Sequence, residues 1–289
     1  VRNLFREKLN YNKFTFVFEV DPPRGINYDE TLAKLKGIKS DGICVGDNPL
    51  ARLRMSALAL GGILSREHKD VIMHLTCRDR TILGLQSEIL GAGALGIKNI
   101  LALTGDGASI GGEYGSMKTV FELNSLQLIG LIKKMNEGFD YNGKNLTGKT
   151  DFYIGAGTFF EVEKTMKKIE AGAKFFISQP VYELESSEKF ITELEKKGIV
   201  FGKEVHLLLG NIPLMTEKHA KFLSTIPGIS VPENLIKKIG SAKEKEKQEE
   251  IGINIAQELM DKIKSSKLAQ GVCIMPGFGR YDIIRKLKI

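Results

Sequence analysis

Eight short runs of β-branched and other apolar residues recur along this chain, each followed by a longer stretch with helical periodicity. This alternation is the strongest constraint on the fold. The strand candidates are Phe14 to Val20, Gly42 to Gly46, Val71 to Cys77, Asn99 to Gly105, Phe152 to Gly157, Phe175 to Pro180, Val205 to Gly210 and Gly271 to Gly277. Helices are expected over Tyr28 to Lys39, Leu50 to Arg66, Thr81 to Leu95, Phe121 to Met135, Val162 to Ala173, Ser187 to Lys197 and Glu217 to Thr225. A longer helical region, Glu233 to Ser265, precedes the last strand, and Tyr281 to Lys288 follows it. Parallel strands need helical crossovers, and eight such units suit a closed (β/α)8 barrel of the TIM type. An open doubly wound sheet is the alternative, but its GxGxxG fingerprint does not follow the first strand. The glycines of Gly91 to Gly96 fall at a helix end and those of Gly111 to Gly115 in a loop.

The 289 residues, 42% of them apolar, support one large core rather than two ordinary domains, so residues 1–289 are read as a single domain. No stretch approaches the roughly 20 apolar residues of a membrane helix, and Val1 to Asn10 mixes charges into its apolar residues, unlike a signal peptide. A soluble, cytoplasmic protein is expected. The net charge of +7 is carried largely by Lys-rich helices without an aromatic-interleaved basic patch, which favours a solvated surface over nucleic-acid binding. Cys44, Cys77 and Cys273 lack CxxC spacing and read as small buried hydrophobes.

In a β/α barrel the chemistry collects where the strands end, because the loops there converge on one mouth. Those ends carry Glu19 and Asp21, Asp47 and Asn48, His74 and Thr76, Thr104-Gly105-Asp106, Gly155-Ala156-Gly157, and Ser178-Gln179-Pro180. None ends in the Lys a Schiff-base aldolase would need. Metal-dependent hydrolysis is disfavoured too: of the four histidines, His68 and His219 fall on helices, His206 begins a strand, and only His74 sits near the mouth. No metal is expected. What remains, carboxylates at Glu19 and Asp106, an amide at Gln179, and glycines admitting close backbone approach, suits a planar ligand with hydrogen-bonding edges. The run Phe16-Val17-Phe18 before Glu19 would desolvate its carboxyl and favour the protonated acid.

Taken in order, the segments Phe18-Glu19-Val20-Asp21-Pro22-Pro23-Arg24, His74-Leu75-Thr76-Cys77, Leu103-Thr104-Gly105-Asp106, and Ala171-Gly172-Ala173 with Ile177-Ser178-Gln179 resemble the methylenetetrahydrofolate reductase family over most of the chain. The resemblance implies a flavin enzyme that reduces 5,10-methylenetetrahydrofolate to 5-methyltetrahydrofolate. It implies Glu19 as the general acid that helps open the methylene bridge, Asp106 as a catalytic link between pterin and flavin, and Gln179 as a folate-orienting amide. Flavin contacts carried over by position are His74, Thr104, Gly105, Asp106, Ala156, Gly157 and Lys168, the last towards the cofactor phosphates. Tyr182 and Arg280 are implied substrate contacts, Arg280 for the anionic folate tail.

The chain departs from that pattern in three places. Thr104 stands where the family commonly has arginine; Pro180-Val181 precedes Tyr182 where an aromatic pair is common; and Pro213 to Lys218 has no aromatic residue to meet a nicotinamide nucleotide. The resemblance favours FAD, with FMN possible, and leaves the donor open between NADH, NADPH and a partner redox subunit. An oligomer is expected. Two other readings stay open: a flavin- and folate-binding subunit with little activity alone, and an unrelated barrel lyase or aldolase, since fold does not set function.

Overall fold

The computed structural model describes residues 3–67, 69–110, 112–277 and 279–289, so His68 and Gly111, named above, lie outside the described residues. Eight parallel strands close into a barrel: β1 (Thr15–Val20), β2 (Gly42–Val45), β3 (Val71–Thr76), β4 (Asn99–Leu103), β5 (Tyr153–Thr158), β6 (Phe175–Pro180), β7 (His206–Asn211) and β8 (Gly271–Ile274). Closure is made by β1 against β8, in the register Thr15↔Gly271 to Phe18↔Ile274. The sequence pattern could not show this pairing, and it decides against the open sheet.

Strand alternation sorts side chains between two cores. Residues facing out, such as Phe16, Phe18, Val45, Leu75 and Ala156, pack under the surrounding helices. Those facing in, including Val17, Cys44, Ile72, Leu101, Phe175, Leu208 and Cys273, fill the barrel axis. At Gly155 the missing side chain is a packing requirement, since a Cβ there would sit 2.2 Å from the Phe175 ring.

The lower end of the barrel is stoppered by α1 (Leu4–Asn10), which the sequence reading did not anticipate. Its two buried residues, Phe5 and Leu9, are four apart and enter the inner core. The Phe5 ring meets Phe175 edge-on at 5.2 Å, while Tyr153 stacks on Phe175 at the same distance. Asn3 caps the helix through Arg6 N and also donates to Asn99 Oδ1, and Phe5 N donates to Asp70.

Between the strands run α2 (Asp29–Leu35), α3 (Ala57–Arg66), α4 (Ile82–Ala94), α5 (Ser125–Asn136), α6 (Val162–Ala171), α7 (Glu185–Lys196), α8 (Glu217–Leu223), α9 (Glu233–Gly240) and α10 (Lys245–Ser266). Some of the expected helix bounds are corrected. The helix expected from Leu50 begins only at Ala57, capped by Ser56, because Asn48, Leu50 and Ala51 adopt left-handed backbone around a single 3-10 turn at Pro49–Ala51. The longer helical region Glu233 to Ser265 comprises two helices, α9 and α10. After β8 the chain closes with a 3-10 segment, Tyr281–Lys286, shorter and tighter than the helix expected there.

Candidate functional site

With α1 filling the lower end, the open space lies at the opposite mouth, a cavity of about 700 Å³ walled by strand ends and the loops that follow them. Glu19, His74, Thr104, Gly105, Asp106, Gly157, Lys168 and Gln179 all line it. These residues come from five different strands and from α6, yet the barrel brings them to one place.

Glu19 points inward near the end of β1, with Val17 beneath it in the inner core. Its carboxyl is pushed up to about 8, first by burial and then by the charges of Asp21 and Asp106. It therefore keeps its proton at neutral pH. Asp106 is held by its loop: its Oδ2 accepts from Leu50 N at 3.0 Å, which uses the left-handed turn after β2. Gly105 precedes it at φ +96°, and a Cβ there would come within 3.1 Å of both Thr76 and Arg78. Only glycine meets both demands without strain.

His74, on the inner face of β3, is buried, and desolvation holds its imidazole down to about 4, so it is neutral near pH 7. Its Nε2 has no hydrogen-bond partner among the described residues. A buried polar atom without a partner on a cavity wall is a position for a ligand to satisfy. On the far wall Lys168 donates to Gly157 O at 2.7 Å and is partly desolvated, which lowers its pKa. It is thus not an ordinary surface lysine. Thr104 has a use of its own, because its hydroxyl accepts from Ser125 N at the start of α5.

Three expected contacts are not brought to the cavity. Ala156 faces the outer core, since alternation on β5 turns Gly155 and Gly157 inward and Ala156 away. Tyr182 is buried with Leu214 and Ile236 beneath the β7 loop, its hydroxyl donating to Ile212 O at 2.9 Å. Arg280 is committed to Glu249 and Asp282, at 2.9 Å each, and anchors the C-terminal segment to α10.

Other lining residues were given no role from the sequence. Arg78, fully buried, is held by Asp79 and donates to Asn48 O at 3.3 Å and Asp106 O at 3.5 Å, so it joins the loops after β2, β3 and β4. Asp47 accepts from Thr76 N, Thr76 Oγ1 and Arg80, a saturated structural carboxylate. Lys164 and Lys167 join Lys168 on the α6 wall, and Phe159, 56% exposed, supplies an aromatic face. The Arg78-Asp79-Arg80 run, directly after His74-Leu75-Thr76-Cys77, was the available signal for Arg78. Phe159 carried none, because an exposed loop aromatic has no periodicity. The cavity is therefore acidic on its β1 and β4 side and basic along α6.

Among the described residues no group of three His, Cys, Asp or Glu side chains could hold a metal ion, and no helix is long and apolar enough to cross a membrane. The methylenetetrahydrofolate reductase family profile matches residues 4–275. The chain belongs to the methylenetetrahydrofolate reductase family. Among reductases of this family, the 5,10-methylenetetrahydrofolate reductase of Salmonella typhimurium is 26% identical over 261 residues, covering 84% of this chain and 79% of that protein. Methylenetetrahydrofolate reductase 2 of Schizosaccharomyces pombe is 24% identical over 217 residues, and the match spans 33% of its length. The fold is shared with an uncharacterised protein from Clostridium thermocellum that binds two copies of 5-methyl-5,6,7,8-tetrahydrofolic acid, at TM-score 0.67 and 16% identity over 98% of this chain and 95% of that one. It is shared more distantly with an EDTA monooxygenase from Chelativorans sp. BNC1, at TM-score 0.52 and 11% identity over 95% and 92% of the two chains.

Proposed function

We propose that this protein reduces 5,10-methylenetetrahydrofolate to 5-methyltetrahydrofolate with a bound flavin. The observation that carries this reading is Glu19: a carboxyl that retains its proton to about pH 8 on the wall of a large cavity, in a chain of this family. Cleaving the methylene bridge requires a proton on the departing nitrogen, and a carboxylic acid protonated at the working pH can donate it.

The residues present fit a flavin nucleotide. His74 offers an unsatisfied neutral imidazole, Gly105 and Gly157 leave the backbone approachable, and Lys164, Lys167 and Lys168 supply cations for phosphates. Three lysines favour FAD over FMN. A flavin bound there would supply the hydride that converts the opened methylene carbon to a methyl group. Asp106 and Gln179 line the same cavity and would bind and orient the pterin, with Asp106 immobilised by Leu50 N and by the Arg78 contact to its backbone. The acidic half of the cavity thus takes the folate and the basic half the nucleotide tail.

NADH, NADPH or a partner redox subunit is proposed as the electron source. The test is the purified protein itself: a bound flavin absorbance, and formation of 5-methyltetrahydrofolate with NADH, NADPH or a reduced dye. Turnover with dye alone favours a subunit that works inside a larger complex. A colourless protein that binds no added flavin overturns the reading.

A further inference from the structure

Glu19 has a second carboxyl beside it that the proposed reaction does not use. Asp21 follows two residues later at the end of β1, and the two side chains converge on Gly46. A Cβ placed on that glycine would lie 3.4 Å from Glu19 Oε1 and 3.4 Å from Asp21 Oδ1. Glu19 lines the cavity, whereas Asp21 lies outside its wall. The segment Asp21 to Pro23 is anchored from two further elements: Tyr281 donates its hydroxyl to Asp21 O at 3.3 Å, and Met55 N donates to Pro23 O at 2.7 Å, drawing the β2–α3 loop against the end of β1. That loop carries Arg54, whose backbone N–H is fixed by Asn48 Oδ1 at 2.8 Å and whose Nε is buried without a hydrogen-bond partner among the described residues.

We propose that Asp21 is a positioning residue for the proton on Glu19: the two carboxyls share one proton, and the Arg54 cation keeps Asp21 the ionised member. Neighbouring carboxyls removed from water cannot both ionise cheaply, so the proton settles on the one without a cation nearby. Burial raises the Asp21 carboxyl above its ordinary value, and the Arg54 cation offsets part of that rise. The other groups facing Glu19 are Asp106 from the β4 loop, the Cys44 thiol from β2 and Tyr281 from the C-terminal segment. Cys44, which shares a contact with Cys273, and Tyr281 are both shifted upward and stay neutral, leaving Asp21 and Asp106 as the anions that hold the proton on Glu19. Asp21 thereby keeps the acid loaded without touching the substrate.

The inference rests on the proposed role of Glu19, but its test does not need turnover. The carboxyl band of Glu19 is followed by infrared spectroscopy against pH, assigned by its loss in Glu19→Gln. Asp21→Asn should move the Glu19 midpoint down from about 8 by about 1 pH unit or more, as expected for loss of a nearby anion. Arg54→Gln should move the last proton of the pair to higher pH, and Asp21→Glu should restore the original midpoint. Where folate reduction is measured, its alkaline limb should follow the same shifts with KM unchanged. A midpoint unmoved in Asp21→Asn, or displacement of both variants in one direction, overturns the proposal. If Asp21→Asn loses its far-ultraviolet circular dichroism, Arg54→Gln alone decides, and no upward shift is then fatal. Absence of folate reduction with the infrared shifts intact would fault the assigned reaction and leave the shared proton standing.

Discussion

At the scale of single residues, the role proposed for Glu19 runs against stability. Its carboxyl sits at about 8 in the folded protein and near the ordinary value of 4.5 when unfolded, so the folded state binds the extra proton between those limits. Stability from this group is fully present below pH 4.5 and is lost as pH rises to about 8. Glu19→Gln, which keeps the shape and removes the charge, is therefore expected to stabilise the protein. The gain should grow between pH 5 and pH 8 and reach on the order of 2–3 kcal/mol, measured by urea unfolding at several pH values. A variant no more stable than the parent at pH 8 would show that the carboxyl is not held protonated by the fold. Arg280 makes the opposite case. With its guanidinium shared between Glu249 and Asp282, Arg280→Ala should leave the KM for folate unchanged and lower the melting temperature, since it loosens the C-terminal anchor. A large rise in KM without loss of stability would return Arg280 to the site.

At the scale of elements, the barrel strands were legible because each is a short apolar run between turn residues, and six-residue β6 was read to the residue, Phe175–Pro180. Helix α1 was not, because three apolar residues in a seven-residue segment set no clear periodicity, and the burial of Phe5 and Leu9 depends on a pocket formed by Tyr153 and Phe175 far along the chain. The start of α3 was misread for a similar reason. Leu50 and Ala51 are good helix formers locally, but the Leu50 N–H is taken by Asp106 from another loop, and a left-handed turn results. The stopper supplies a test of its own. Phe5→Ala removes a fully buried ring from the lower barrel and should cost about 3–5 kcal/mol, read as a lower urea midpoint. Gly155→Ala should be destabilising too, by about 1–3 kcal/mol, because the Phe175 ring it would displace is pinned between Phe5 and Tyr153. If either variant unfolds like the parent, the axis is less tightly packed than described.

At the scale of the whole molecule, the fold divides its labour along the barrel axis. The lower half is filled by side chains from α1 and all eight strands, and the upper half is left open as the cavity. Residues quoted from the strand-end motifs reached the cavity when the alternation turned them inward, as with Glu19, His74, Gly157 and Gln179, and missed it when it did not, as with Ala156. Arg78 and Phe159 escaped because their placement depends on loops whose course only the closed barrel defines. A ligand filling the upper half should stabilise the molecule as a whole, so removing bound flavin is expected to lower the melting temperature and adding it back to restore it.

The most direct test of the account is the oxidative half-reaction, with protein reduced by dithionite under anaerobic conditions and mixed rapidly with 5,10-methylenetetrahydrofolate. Return of the oxidised flavin absorbance with formation of 5-methyltetrahydrofolate is expected in the parent. In Glu19→Gln that return should be abolished, while reduction of the flavin beforehand proceeds as in the parent. Reoxidation at the same rate in both proteins, or equal loss of both half-reactions in the variant, would contradict the assignment of Glu19 as the proton donor.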